Sequence, residues 1–116
     1  MTLLAAQAYT VLGQIAAMRN EMAAAHADWT QARDTIAPAT KAGDDPNFLA
    51  ACASALLLLD EIDAARPVVA RLAAMGYRAS GFVALVAAKK LDYTVDANAI
   101  RRIAEAMRGS EKNPPD

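Results

Sequence analysis

A lone histidine, a lone cysteine and two short acidic runs are the side chains in this chain that could do chemistry. His26 has no second histidine and no cysteine cluster beside it, whereas a zinc site needs three or four such ligands. Cys52 sits in "FLAACASALLLL", and apolar surroundings disfavour a thiolate, so it reads as a packed thiol rather than a nucleophile. Asp44-Asp45 and Asp60-Glu61-Asp63 lack the ligand spacing of a calcium loop and read as helix-capping groups. His26 is expected on the outer face of a helix. The expectation is a chain with no catalytic residue, no cofactor and no metal, hence not an enzyme.

Bulk properties narrow the field in the same direction. The 116 residues suit one domain, and the net charge of −1 supplies no field for nucleic acid or anionic lipid. Only Lys89-Lys90 and Arg101-Arg102 pair bases, with acids close to both. The longest apolar run, 48–59, is too short to span a bilayer as a helix. Residues 1–18 lack a basic leader and are interrupted by Gln7, Gly13 and Gln14. A soluble protein follows, with the cytoplasm favoured and the compartment otherwise open. Much of the 55% hydrophobic content is alanine, which favours helix but buries little area per residue.

Helical periodicity dominates, and six helices in three antiparallel pairs are predicted, at about 2–37, 46–76 and 80–107. The first helix carries a stripe of Leu4, Ala8, Leu12 and Ile15 and breaks at Asn20. The second presents Met22, Ala25, Trp29, Ala32 and Ile36 and stops before Pro38. Asp45 is expected to cap the third helix, with Pro46 in its first turn. Asp60 or Asp63 should cap the fourth, and Gly76 should end it in a left-handed turn with Tyr77 folded back. Ser80 is the expected cap of the fifth helix, which runs to about Leu91. Thr94 or Asp96 is that of the sixth, whose stripe is Ala97, Ile100, Ile103, Ala104 and Met107. The domain therefore spans 1–108, and the polar tail 109–116 is expected to be disordered.

Large and small residues recur at fixed spacing in the first pair: Tyr9, Leu12, Gly13, then Ala25, Trp29, Ala32 and Pro38. In this pattern the chain resembles the tetratricopeptide repeat family, with Pro38 one place late and Ala16 where an aromatic is usual. A fainter second copy runs through Leu49, Cys52, Ala53 and Leu56, then Ala65, Val69 and Leu72. The stretch 65–86 is also similar to closing repeats of larger bacterial regulators and kinases. The resemblance implies an all-α stack of helical hairpins, a short solenoid, whose job is to bind other proteins.

It further implies that the first helix of each pair lines a concave groove. Gln7, Thr10 and Gln14 recur along the first helix, and Asn47, Ala50, Ser54 and Leu57 continue the line on the third. Uncharged amides and hydroxyls there suit a partner peptide or helix, Ala50 and Leu57 admitting an apolar side chain. The plainer alternative is the solvated side of two amphipathic helices. Leu3, Ala6, Val11 and Met18 fall outside the main stripe, and with Leu3, Val11 and Met18 as the contact they predict either a homodimer through the N-terminal helix or a further repeat upstream. Partners are therefore expected to be protein, with no nucleic acid and no membrane insertion.

Overall fold

The computed structural model describes residues 2–40, 43, 45–95 and 97–112, the side chains of 110–112 excepted. It is all-α: α1 (Thr2–Met18), α2 (Met22–Thr40), α3 (Pro46–Leu58), α4 (Ile62–Ala74), α5 (Ser80–Ala88) and α6 (Ala97–Lys112). There is no strand among the described residues. α1 packs on α2, α2 on α3 and α3 on α4, while α3 also touches both α1 and α5. From α1 to α4 neighbours in sequence are thus neighbours in space, and leading helices lie side by side; α5 and α6, expected as a third antiparallel pair, do not pack along each other among the described residues, and α6 sits against the end of α4 instead. The result is elongated, 56 × 31 × 25 Å, as a stack is and a closed bundle is not.

One local device sets this succession. α1, α3 and α5 each end on a residue with φ near +60°: Asn20, Asp60 and Lys90. At each, two backbone bonds close the helix in the same way. The N–H of Asn20 reaches Ala17 O and that of Glu21 reaches Ala16 O; Asp60 and Glu61 reach Leu57 O and Leu56 O. Lys90 and Leu91 likewise reach Ala87 O and Val86 O. This is the paired-bond stop that follows from a left-handed residue past the last turn, and it spends two otherwise orphaned carbonyls. Gly76 ends α4 identically, with φ 79° and Tyr77 N–H bonded to Leu72 O. Gly76 also lies where a side chain would press towards Ala99, Ile100 and Ile103 of α6.

Because these turns are equivalent, they fix a register. Asn20 and Asp60 are forty residues apart, Asp60 and Lys90 thirty. On this register Gly13 corresponds to Ala53, Ala25 to Ala65 and Trp29 to Val69. All six are buried. Trp29 lies directly over Gly13: a Cβ there would clash with Nε1 and Cδ1 of the indole. The indole N–H donates to Thr10 O at 3.3 Å. Trp29, Ala16, Ala25 and Leu59 form one core cluster, while Ala6, Ile36, Leu49, Leu57, Leu72 and Val86 belong to the larger one.

Several expectations are corrected. The stripe Leu4–Ala8–Leu12–Ile15 is exposed, and α1 buries Ala6, Gly13 and Ala16 instead. α1 has no charged residue to mark its outside, and close approach to α2 selects its small side rather than its large one. Leu3, expected outside the stripe, packs against the core. Met22 is exposed, so the buried line of α2 begins at Ala25. α2 continues through Pro38 to Thr40, whose hydroxyl takes up the Ala37 carbonyl at 2.7 Å. A proline this near the end costs one bond of a turn that would fray anyway.

Asp45 caps α3 through the Asn47 N–H at 2.9 Å, as expected. Glu61 and Ala79 stand at the caps of α4 and α5 without a side-chain bond, displacing Asp60, Asp63 and Ser80. Asp44 and Asp96 lie outside the described residues. α5 stops at Ala88, and α6 extends to Lys112 rather than giving way to a tail at 109; residues 113–116 lie outside the description. Of the expected α6 stripe only Ile100 is half-buried; Ala97, Ile103, Ala104 and Met107 are exposed, and Ala99 is the buried contact. α6 meets the rest of the fold at its first turns, over Gly76.

Candidate functional site

The shared register carries side chains as well as backbone. Positions 7, 47 and 77 are equivalent, as are 11, 51 and 81, and all six line one concave depression of about 280 Å³. Thr10, Ala50, Ser54, Ala79 and Phe82 complete its lining. α1 and α3 thus supply their upper walls from matching turns, and the α4–α5 connection closes the third side. The depression is the concave face of the stack.

Five of the seven residues singled out for this groove meet there: Gln7, Thr10, Asn47, Ala50 and Ser54. Two do not. Leu57 is fully buried in the core, because it corresponds to Ala17 and both face inward. Gln14 is exposed beyond the lining, although its counterpart Ser54 is inside. Val11, Ala51, Tyr77, Ala79, Gly81 and Phe82 were not expected as lining. Their signal was present but unused: counting back from each left-handed stop places 11, 51 and 81 on one line.

The chemistry of the groove is uncharged. The Thr10 hydroxyl donates to Ala6 O at 2.9 Å, so its lone pairs remain to accept a bond. Gln7 and Asn47 are exposed and bring amide donors and acceptors. Phe82 meets Tyr77 and Tyr93 edge-to-face, both ring centroids 5.5 Å away. Tyr93 donates to Tyr77 O at 2.6 Å and pins this aromatic end in place. Burial, and secondarily repulsion from Tyr77, push the Tyr93 phenol above its ordinary value.

Charged groups hold the stack together away from the groove. Arg33 on α2 bridges to Glu61 at 2.7 Å and to Asp34 at 3.0 Å, and these bonds raise its guanidinium pKa. Lys89 reaches back to Asp60 at 2.7 Å, tying the stop of α5 to that of α3. Pairs this accessible are worth about 0.2–1 kcal/mol each and mainly fix orientation.

The reactive side chains stay apart. Cys52 is buried; its loss of hydration pushes the thiol pKa up, against an opposing hydrogen bond with Thr40. His26 is exposed on α2. Among the described residues no three His, Cys, Asp or Glu side chains are grouped to hold a metal ion. Among them, too, no helix is long and apolar enough to cross a membrane.

Fold and site together define an array of helical hairpins with an uncharged concave groove. Compared with known proteins, the chain matches no family model, no curated protein and no solved structure.

Proposed function

We propose that this chain is a tetratricopeptide-like interaction module that holds a partner peptide or helix in the groove of α1, α3 and α5, without catalysis of its own. The observation that carries the reading is the convergence of register-equivalent residues, 7 with 47 and 77, 11 with 51 and 81, on one depression. A solvated helix side would need no such agreement between three helices. The lining suits an extended or helical backbone: amides at Gln7 and Asn47 and hydroxyls at Thr10 and Ser54 pair with peptide groups. Ala50 and Ala51 floor a slot for one apolar side chain, and the Tyr77–Phe82 edge closes it. With no charge in the lining, selection rests on shape and hydrogen bonding rather than on a terminal carboxylate.

Gly81 offers the test, because it lines the groove and an added Cβ there meets nothing within 4 Å, so a large side chain fits without a clash. Peptides selected from a random display library against the full chain are expected to lose binding to Gly81→Trp while circular dichroism stays unchanged. Retention of every selected peptide by Gly81→Trp contradicts the reading.

A further inference from the structure

α1 has a second surface, opposite the side that packs on α2. Leu4, Ala8, Val11, Ile15 and Met18 follow one another at intervals of four and three and are all exposed, Met18 at 84%. This is the spacing of an interhelical seam, and the seventeen residues of α1 include no charge. With Leu12 and Met22 beside it, the seam leaves roughly 600 Å² of apolar side chain in water, the upper limit for a typical monomer.

The register shows what such a face is for. On α3 the equivalents of Val11, Leu12, Ile15 and Met18 are Ala51, Cys52, Ala55 and Leu58, all buried or half-buried on the helix that α2 packs against. The small residues of α3 admit a close helix. The larger ones of α1 instead form knobs, suited to a facing seam of the same kind.

We propose that this face binds α1 of a second copy, antiparallel, with the two-fold axis at Val11. Leu4 and Met18 stand seven residues to either side of Val11, with Ala5 and Ala6 mirrored by Ala17 and Ala16. Turning one copy over places Leu4 level with Met18 of the second copy, and Ala8 one residue out of register with Ile15 of the second copy. Ala8 leaves room beside the larger Ile15, while Leu4 and Met18 make an apolar layer at each end. The contact is isologous and closes on itself, so it yields a dimer and not a fibre. Two such faces bury on the order of 1,200 Å² in total, the lower bound for a stable specific interface. No charge along α1 opposes the approach. Val11 also borders the groove, so dimerisation sets the two grooves on either side of the axis.

The inference does not rest on the groove reading, and its variants avoid the groove lining. Sedimentation equilibrium of the full chain should show a reversible dimer with a dissociation constant in the micromolar range. Ile15→Glu and Leu4→Glu should each weaken it at least about 100-fold at unchanged helicity, while keeping any peptide that Gly81→Trp loses. Leu4→Cys mixed with Met18→Cys should crosslink on mild oxidation, and neither alone should, since Cys52 is buried. A chain monomeric to about 1 mM overturns the proposal. So does a dimer indifferent to both glutamates, crosslinking of Leu4→Cys alone, or a monomer whose α1 amides shift only when a separate α2-like hairpin is added.

Discussion

The first and second helical pairs reach the same backbone arrangement with different side chains. In the first, Gly13 lies under the indole of Trp29. In the second, the same two places hold Ala53 and Val69, both buried. The largest side chain thus stands over the residue that has none, and the smaller valine answers an alanine. What identifies the repeat is the left-handed stop that ends the leading helix, with its two closing backbone bonds. Individual residue types are free to change in compensation, and this is why the second copy is faint in the sequence.

Breaking the first pair should give the largest effect. Trp29→Ala is expected to cost about 3–5 kcal/mol by chemical denaturation, since it opens a cavity over Gly13 that the helices are too constrained to close. Gly13→Ala drives a methyl against the indole and should cost about 1–3 kcal/mol, despite alanine's better helix propensity. The comparison is sharpest in the double variant. Gly13→Ala with Trp29→Val rebuilds the second pair's packing inside the first and should be more stable than the two single losses added together. Strict additivity would separate the two pairs again.

A third effect lies at the stops. Asn20 and Asp60 belong to the residue types that tolerate positive φ, whereas Lys90 carries a longer chain at φ 61°. Lys90→Gly should raise stability by about 1 kcal/mol, and Asn20→Gly by less. Thermal melts under one buffer distinguish them.

The smallest expected effect is on pH dependence. Cys52 on α3 is buried, while its counterpart Leu12 on α1 is exposed. Burial raises the Cys52 thiol above 9.0 and the Tyr93 phenol above 10.0. For a group that is neutral when protonated, a raised folded-state pKa means the native state holds the proton longer than the unfolded chain. Stability is therefore full below these ordinary values and falls as pH climbs from about 9 towards the raised ones. Cys52→Ala should flatten the first part of that fall, whatever its cost at neutral pH, and denaturation at pH 7, 9 and 10 checks it.

How much of this was legible beforehand depends on which signal each feature used. The helices, the Asn20 break, the Gly76 stop and the Asp45 cap are written in local propensity, and all are present. The inward side of α1 is ambiguous in the sequence because its periodicity offers two apolar faces, and packing favours Ala6, Gly13 and Ala16 over Leu4, Leu12 and Ile15. Leu57 was placed in the groove by a line carried one turn too far. Tyr93 left no trace, since its role depends on a carbonyl sixteen residues away.

The central claim is that equivalent turns of α1, α3 and the start of α5 form one recognition surface. Isotope-labelled full chain titrated with a library-selected peptide tests it most directly. The account predicts that amides of Thr10, Ser54 and Gly81 shift together with one binding curve, while those of His26 and Ala64, exposed on the outer helices, stay in place. Shifts confined to α2, α4 or α6 would contradict it.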